Sequence, residues 1–473
     1  MNDMTLTNLK AGKTAVSAAA IEALAAQLSG TVLDASDASY DEVRAIWNAM
    51  IDRRPALIVR CADAADVVNA VRFARDNQLL VAVRGGGHNI AGNAVCDGGL
   101  MIDLSQMKSV RVDAGAKRAW VAPGATLADV DKETQSYGLA LPTGINSTTG
   151  IAGLTLGGGF GWITRKFGLT IDNLVSADVV TANGELARAS ATENPDLFWA
   201  LRGGGGNFGV VTSFEFNLHE LGPQVIAGFV VHPFDDAQTV LEQYRKVLET
   251  APDELTCWAV MRQAPPLPFL PVEWHGKEIL ILAMCYCGDL AAGDKATAKL
   301  RSIGTPIADV VGPNPFAGWQ QALDPLLTPG ARNYWKSLDF TKLSDATIGI
   351  LIDAVRELPG PECEIFIGHV GGAAGRIAAD ETAFPQRSSH FVMNVHARWR
   401  EPDMDWACIG WARHIFETAK PFAAQTAYIN FMPEDENDRV EAAYGGNYRR
   451  LAEVKRRYDP DNLFRMNQNV KPK

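Results

Sequence analysis

Long apolar runs are missing from this sequence, and none approaches the roughly 18 residues that a membrane-spanning helix needs. The first residues, Met1 to Met4, also lack the basic start of a signal peptide. Basic residues are outnumbered, with 44 Lys and Arg against 55 Asp and Glu and a net charge of −11. We therefore expect a soluble, cytoplasmic protein with no membrane and no nucleic acid as partner, since binding to a phosphate backbone depends on Lys and Arg.

Cysteine is also scarce, and the seven present are an odd number, so a disulfide framework is not implied. The only close pair, Cys285 and Cys287, lies in the apolar run of residues 279–287, which predicts a strand with both thiols on one face. A metal site would need two further Cys or His ligands at a suitable spacing, and none accompanies this pair. We expect core packing for both thiols and no metal.

Glycine, in contrast, is plentiful, with 43 residues, and much of it falls in three blocks at residues 84–93, 150–162 and 201–212. The first block follows the apolar run of residues 79–83, which predicts a strand that leads into a loop. Successive glycines let backbone N–H groups approach an anion closely, and His88 adds a nucleophilic imidazole at the rim of the loop.

The third block contains the dinucleotide pattern G-x-G-x-x-G, at Gly204, Gly206 and Gly209. That fingerprint requires a strand before it and a helix after it. Here a helix-like segment, residues 196–201, precedes the glycines, and a strand beginning at Val210 follows them. A nicotinamide-binding Rossmann domain is therefore not expected.

In this order and spacing, the three blocks resemble the flavin domain of the berberine bridge enzyme-like FAD-linked oxidases. These belong to the vanillyl-alcohol oxidase and p-cresol methylhydroxylase (PCMH) superfamily. The resemblance covers residues 54–216 and returns at residues 444–448 and 458–469. It implies an α+β fold, in which a two-subdomain PCMH-type FAD-binding domain is joined to an antiparallel-sheet substrate domain with helices on one face.

The pattern along the chain predicts four segments. They are an N-terminal helical segment packing on the FAD domain (1–50), the PCMH-type FAD-binding domain (51–220), a substrate-binding domain (221–425) and a C-terminal segment that returns to the FAD domain (426–473). Within the third segment, strands are expected at residues 279–287, 364–370 and 391–399. Within the first, the Ala-rich stretch 15–28 predicts a helix.

The resemblance implies FAD as the cofactor, joined covalently through the 8α-methyl carbon of the flavin to His88. The alternative for a lone loop histidine is an ordinary hydrogen bond. Members with a second, cysteine tether carry it where this chain has Asn146, so a single covalent bond is expected. Thr149 occupies a position near the oxygen-reacting face of the flavin, where its valine-like shape leaves room for oxygen; its alternative role is a local hydrogen bond in a turn. The expected FAD-binding residues are Arg84, Gly85, Gly86, Gly87, His88, Asn89, Gly92, Asn146, Thr149, Gly150, Gly153, Gly157, Gly158, Gly161, Asn207, Gly209, Val210, Asn430, Tyr444 and Asn447.

The catalytic base is less determined. Side chains of residues 391–399 alternate between the two faces of a predicted strand, and Asn394 and His396 lie on the face that would cover a cavity. In the plant alkaloid-forming members a glutamate base lies on this strand. Here Asn394 takes its place, and an amide accepts a proton poorly at neutral pH. His396, two residues on, is therefore a candidate.

The sugar-oxidising members carry a tyrosine base in a Tyr-x-Asn-Tyr segment. This chain has Tyr428-Ile429-Asn430-Phe431, so the second phenol is missing. Tyr428 and His369 stay open as further candidates for the base, as do Tyr444 and Tyr448. For each of them the alternative role is a flavin contact or a structural hydrogen bond.

The activity implied by the resemblance is hydride transfer from a small alcohol, sugar, amine or secondary metabolite to flavin N5. Oxygen would then accept the electrons and give hydrogen peroxide. Two alternatives remain open: a flavin dehydrogenase that uses a quinone or protein acceptor, and a non-catalytic flavin-binding protein. A monomer or a homodimer is expected.

Overall fold

The computed structural model describes residues 3–473, and its first part contains a hairpin and a small mixed sheet of four strands. The elements of this first part are β1 (Met4–Thr7), β2 (Lys13–Val16), α1 (Ala18–Ala25), β3 (Thr31–Leu33), α2 (Tyr40–Arg44), β4 (Leu57–Arg60), α3 (Ala64–Asp76), β5 (Val81–Arg84) and β6 (Leu100–Asp103). The strand order is β3-β4-β6-β5, and β6 runs parallel to both of its neighbours. Asp63 caps α3, as its position before the apolar periodicity indicates, and Val67 and Val71 are buried beneath the sheet. β5 therefore delivers the chain directly to the first glycine block.

The N-terminal segment is not simply helical, and the expectation of a helix over residues 15–28 was wrong in its extent. β1 and β2 pair as an antiparallel hairpin, with Met4 opposite Val16. The helix begins only after Ser17, whose side chain accepts a hydrogen bond from Ala20 N–H. The Ala-rich composition did not reveal this because strand pairing with residues 4–7 overrides the helix propensity of Ala15.

The second part is an antiparallel sheet that carries the other two glycine blocks. Its elements are β7 (Val110–Asp113), β8 (Arg118–Val121), α4 (Leu127–Gln135), β9 (Leu139–Ala140), α5 (Ile151–Leu156), α6 (Thr164–Phe167), β10 (Leu174–Val180), β11 (Leu186–Ser190), α7 (Pro195–Leu201), β12 (Val210–Asn217) and β13 (His219–Glu220). The strand order is β11-β10-β12-β8-β7. The second block begins α5, and the third connects α7 to β12. This helix-then-strand order agrees with the exclusion of a Rossmann unit.

The third part is a larger antiparallel sheet. Its elements are β14 (Gln224–Pro233), α8 (Ala237–Leu248), β15 (Leu255–Gln263), β16 (Glu278–Tyr286), α9 (Gly293–Arg301), β17 (Ala308–Asp309), β18 (Gly312–Pro315), α10 (Phe316–Trp319), β19 (Arg332–Phe340), α11 (Asp345–Arg356), β20 (Glu364–His369), β21 (Phe391–Trp399) and α12 (Asp405–Ala419). The main strand order is β17-β14-β16-β15-β20-β21-β19, and β18 also pairs with β14.

The two faces of this third sheet have different partners. One face packs against α8, α11 and α12 and includes Met393 and Val395. The opposite face joins a hydrophobic cluster, rich in aromatic rings, that includes Trp258, Phe366 and Val392, as well as the buried Cys285 and Cys287. The alternation predicted for residues 391–399 and the same-face placement of the two thiols are therefore confirmed.

The chain then returns to the second part. Its last helices are α13 (Val440–Tyr444) and α14 (Tyr448–Tyr458), which pack in the core of the second sheet. Lys455 is fully buried, and its ammonium group donates to Asn207 O, Phe464 O and the Asp459 carboxylate. The C-terminal segment is thus fastened to the third glycine block. Within residues 3–473, no helix combines the length and apolarity that crossing a bilayer requires.

Candidate active site

A cavity of about 300 Å³ lies where the three sheets meet. The first and second glycine blocks form one part of its wall, and side chains of β15, β19, β20 and β21 form another. Of the residues expected to bind FAD, the following line it: Gly85, Gly86, Gly87, His88, Asn89, Asn146, Thr149, Gly150, Gly153, Gly209, Val210 and Asn430. The candidates His396, Tyr428 and Asn394 line it as well. Two sets of residues that were selected for different reasons therefore share one cavity.

The first two glycine blocks meet backbone to backbone. A Cβ atom on Gly86 would lie 2.5 Å from Gly150 Cα, and one on Gly150 would lie 2.6 Å from Gly86 Cα. Within the described residues 3–473, the backbone N–H groups of residues 86–89 donate to no protein acceptor. A wall of free N–H groups without side chains suits a ligand rich in acceptor oxygens, such as the pyrophosphate of FAD.

His88 lies in the wall at the edge of this cradle. Its Nε2 is 3.0 Å from Thr148 Oγ1, and its ring stacks on Trp47, with 5.1 Å between centroids. Desolvation in this wall lowers the pKa of His88 to about 4, so the imidazole is neutral at physiological pH. A neutral imidazole has a free lone pair, which a covalent bond to carbon requires.

The remaining residues expected to bind FAD lie behind the wall. Asn207 donates to Gly204 O and Gln468 O, and Tyr444 donates to Gly204 O. Asn447 donates to Ala379 O and Thr382 O. The others in this group are Arg84, Gly92, Gly157, Gly158 and Gly161. They do not line the cavity, and their contribution to FAD binding stays a prediction.

Aromatic rings dominate the part of the cavity under the third sheet. They come from Phe160, Trp162, Trp258, Trp335, Phe366 and Phe431. Trp258 stacks on Phe366 at 5.5 Å and lies 4.9 Å from Trp162, centroid to centroid. Sequence reasoning did not identify these rings, or Trp47, as lining residues, because a single aromatic residue in a strand or a loop is most often an ordinary core residue. Flat apolar groups fit between such surfaces.

Glu364 is a polar lining residue that sequence reasoning also missed. It stands opposite His396 in the β20–β21 register, with Oε1 3.3 Å from His396 Nδ1. Its other oxygen accepts from Arg262 Nη1 at 2.6 Å. Burial opposes ionisation, but Arg262 and His396 outweigh it and lower the pKa of Glu364 to about 2. The cavity therefore holds a carboxylate at neutral pH.

His396 has both ring nitrogens occupied. Nε2 is 3.1 Å from Asn333 Oδ1, and the amide nitrogen of Asn333 donates to Ala331 O, which identifies Oδ1 as an acceptor. The ring can therefore donate to Asn333 and to Glu364 together only when it carries two protons. Burial lowers the pKa of His396 in spite of Glu364 and keeps the ring neutral. One of the two contacts then lacks a hydrogen, which makes this ring a suitable proton acceptor.

Asn394 and Tyr428 carry unused hydrogen-bonding capacity. Neither amide atom of Asn394 has a partner, although the residue is 1% exposed. The Tyr428 hydroxyl oxygen accepts from Gly159 N–H at 3.1 Å and from Asn430 Nδ2 at 3.0 Å, so its own proton is available to a ligand. Burial raises the pKa of Tyr428 to about 12 and keeps the phenol protonated. Both side chains are suited to orienting a bound molecule.

His369 lies outside the cavity wall. Arg165 Nη1 lies 3.0 Å from His369 Nε2 and also donates to Val370 O. Burial holds the pKa of His369 well below its usual value. The contacts of His369 therefore favour its alternative role, a structural link between the second and third parts.

Comparison with known proteins agrees with this site. Residues 55–190 match a family model described as FAD binding domain, and residues 427–471 match one described as berberine and berberine-like. The chain is 32% identical to an FAD-linked oxidoreductase of Dictyostelium discoideum, over 98% of this chain and 99% of that protein. It is 31% identical to (R)-6-hydroxynicotine oxidase of Paenarthrobacter nicotinovorans, over 94% of this chain and 97% of that protein.

The solved structure of 6-hydroxy-D-nicotine oxidase from Arthrobacter nicotinovorans has the same fold. It aligns with a TM-score of 0.85 at 28% identity and covers 94% of this chain and 98% of that one. The expected α+β fold class is confirmed.

Proposed function

This chain belongs to the berberine bridge enzyme-like family of FAD-linked oxidoreductases, and we propose that it oxidises a small, flat, largely apolar alcohol or amine. A hydride leaves a substrate C–H bond, and a proton leaves the adjacent O–H or N–H group. The observation that carries the proposal is the single cavity that His88 and the glycine cradle share with Asn394, His396 and Glu364.

Residues of the two glycine blocks would hold the FAD, with a covalent bond at His88. The free N–H groups of residues 86–89 suit its pyrophosphate, and Gly150 keeps this wall free of side chains. Bound FAD supplies the two-electron acceptor for the hydride. Thr149, which also lines the cavity, supports oxygen as the final acceptor, with hydrogen peroxide as product.

Proton removal is assigned to Glu364 and His396 acting together. With Nε2–H donated to Asn333, neutral His396 presents its Nδ1 lone pair to Glu364. A substrate hydroxyl that donates to the Glu364 carboxylate passes its proton on to Nδ1, since Glu364 Oε1 lies 3.3 Å from that nitrogen. The resulting imidazolium donates to both of its acceptors.

The nature of the walls supports the substrate class. Glu364 is the only carboxylate among the described lining residues, and Arg262 already compensates its charge. The other walls of this part are mainly aromatic, and Asn394 and Tyr428 supply the polar contacts. A sugar, which must satisfy many hydroxyl groups, is a poorer fit than an aromatic alcohol or amine.

The experiment is an absorbance spectrum of the purified protein before and after acid precipitation, with the intact mass. A yellow pellet and a mass increased by one FAD are expected. Anaerobic bleaching by aromatic alcohols or amines, faster than by oligosaccharides, would support the substrate class; the reverse order would contradict it. Oxygen uptake, compared with reduction of a quinone dye, tests the acceptor.

The cytoplasmic location, the monomeric or homodimeric state and the four segment boundaries stay predictions.

A further inference from the structure

We infer that Asn48 sets the position of the proton-accepting pair relative to the glycine cradle, because its side chain is bonded to both walls of the cavity. The inference deepens the proposed function, since it rests on the assignment of Glu364 and His396 as proton acceptor. Asn48 does not line the cavity, so it is a positioning residue and not a catalytic one.

A short stretch, residues 47–49, fits between the first glycine block and the third sheet. On one side, Trp47 N–H donates to Gly87 O at 3.1 Å. On the other side, Ala49 N–H donates to Ala331 O at 3.0 Å, immediately before β19 begins. The backbone of this stretch therefore joins the glycine cradle to the sheet that covers the cavity.

The Asn48 side chain makes the same connection with its amide. Nδ2 donates to Ile90 O, in the first glycine block, at 3.2 Å and to Asn333 O, in β19, at 2.9 Å. Oδ1 accepts from Asn333 N–H at 2.9 Å and from Met50 N–H at 3.1 Å. β19 lies at the end of its sheet, so the amide takes the place of a further strand at Asn333. Both asparagines are buried, so water does not replace these bonds.

The connection ends at the proton-accepting pair. Asn333 Oδ1 lies 3.1 Å from His396 Nε2, and Asn333 Nδ2 donates to Ala331 O. Asn48 therefore holds the backbone of Asn333 at both its N–H and its C=O, and the side chain of Asn333 in turn holds the His396 ring. A displacement of about 1 Å at a reacting group can slow a reaction about 10²-fold, so a residue outside the cavity can control the rate in this way.

The same connection affects the acidity of His396. Burial lowers the pKa of the ring, and the charged groups that act on it are Glu364, Arg398 and Arg262. The protonated ring donates to Asn333 and Glu364 together, so a displaced Asn333 removes one acceptor from the imidazolium. Loss of the Asn48 amide should therefore lower the pKa of His396 further.

The test uses variants of the full chain with FAD bound. Asn48→Ser removes the amide, but a serine hydroxyl still reaches Met50 N–H two residues on, so the local turn is kept. Asn333→Ala and the double variant show whether Asn48 acts through Asn333. Asn173→Ser is the matched control, because Asn173 is a buried asparagine that donates to two backbone carbonyls away from the cavity.

Two measurements are made on each protein. Anaerobic stopped-flow absorbance at several substrate concentrations separates the rate of flavin reduction from the substrate Kd. NMR of protein labelled with ¹⁵N-histidine follows the titration of His396 without any substrate, and His396→Gln identifies its signal.

We expect flavin reduction to be about tenfold slower in Asn48→Ser, the size of one net hydrogen bond, with the substrate Kd and oxygen reoxidation unchanged. The double variant should be no slower than Asn333→Ala alone, because both substitutions break one connection. The pKa of His396 should fall in Asn48→Ser. In Asn173→Ser, Tm should fall while flavin reduction and the His396 titration stay at their wild-type values.

Equal rates in Asn48→Ser and Asn173→Ser would overturn the inference. So would additive losses in the double variant, which would mean that Asn48 acts independently of Asn333, or an unchanged His396 titration in Asn48→Ser. Failure of the proposed function has a different result, since the wild-type flavin would then be reduced by no substrate of the screen. In that case the NMR titration still decides whether Asn48 controls His396.

Discussion

At the scale of single residues, the proposed proton acceptor is the pair of Glu364 and His396, and it depends on the charge of the Glu364 carboxylate. Glu364→Gln keeps the side-chain shape but removes the charge that would receive the substrate proton. We expect the anaerobic rate of flavin reduction to fall about 10²-fold or more, with oxygen reoxidation unchanged. Stopped-flow absorbance measures both rates.

The matched control is Glu362→Gln, on the same segment. Glu362 pairs with Arg398 and Arg400 and does not line the cavity. Equal rates of flavin reduction in the two variants would argue against the assignment to Glu364.

The pH profile gives a second test of the same pair. His396 must be neutral to accept a proton, and burial lowers its pKa from 6.5. Flavin reduction is therefore retained at neutral pH and lost as the pH falls through the lowered pKa. The Glu364 carboxylate raises this pKa, so the residual activity of Glu364→Gln should have its acidic limb at still lower pH. An acidic limb that moves upward, or not at all, would contradict the coupling.

His88 also has a direct test. His88→Ala should fold and bind FAD through the glycine cradle, yet acid should release the cofactor completely, because the only predicted covalent bond is gone. Intact mass and the colour of the acid pellet measure this. A mass that still includes FAD would point to another attachment residue.

Part of the site follows from local sequence and part does not. Alternation along residues 391–399 placed Asn394 and His396 on the cavity face, because a strand has a period of two whatever its partners. Glu364 and Trp335 could not be found in this way. They meet His396 only through the pairing of β21 with β20 and β19, and that register is set by contacts distant in sequence.

At the scale of elements, the close contact between the first and second glycine blocks leaves no room for a side chain at Gly86. Gly86→Ala would place a methyl group against the backbone of Gly150, where no flexible side chain can move away. We expect weaker FAD binding and a lower Tm, since the loops must separate. Flavin titration and thermal unfolding measure the two effects.

Gly410→Ala is the control for this change. Gly410 lies in α12 with open space around its Cβ position, so alanine there should stabilise the helix by about 0.5–1 kcal/mol. If Gly86→Ala behaved like this control, the close approach of the two loops would have no functional consequence.

The glycine blocks also show why some elements were predictable. A loop of consecutive glycines after an apolar strand has few alternatives, and β5 and the residues after it match that expectation. The hairpin of β1 and β2 was missed because its strands are only four residues each, while the Ala-rich stretch favours a helix by propensity alone.

At the scale of the whole molecule, the fold connects segments far apart in the chain. In the third sheet, β19 and β21 are neighbours although α11 and β20 lie between them in sequence. The motifs at both ends of the chain predicted the FAD half. Between residues 216 and 444, which the resemblance does not cover, the sequence pattern predicted strands but not their order. Strand order depends on pairing between segments that are distant in sequence.

The buried pair of Lys455 and Asp459 holds the C-terminal segment to the third glycine block. Lys455→Met would leave the Asp459 carboxylate buried without its cation and remove the contacts to Asn207 O and Phe464 O. Loss of one partner of a buried pair costs about 3–5 kcal/mol. We expect a corresponding loss of stability to denaturant and weaker retention of non-covalent FAD in a His88→Ala background.

The double variant Lys455→Met, Asp459→Asn separates charge from packing. Asp459 also accepts from Leu463 N–H and Phe464 N–H, and an asparagine keeps one acceptor oxygen for this turn. Because the double variant contains no unpaired buried charge, it should be more stable than Lys455→Met alone, a non-additivity that urea unfolding can measure. Additive losses would mean that the pair acts only through local packing. The C-terminal segment would then be attached to the glycine block by its apolar contacts and by its other hydrogen bonds, such as those from Asn207 Nδ2 to Gln468 O and from Tyr444 to Gly204 O.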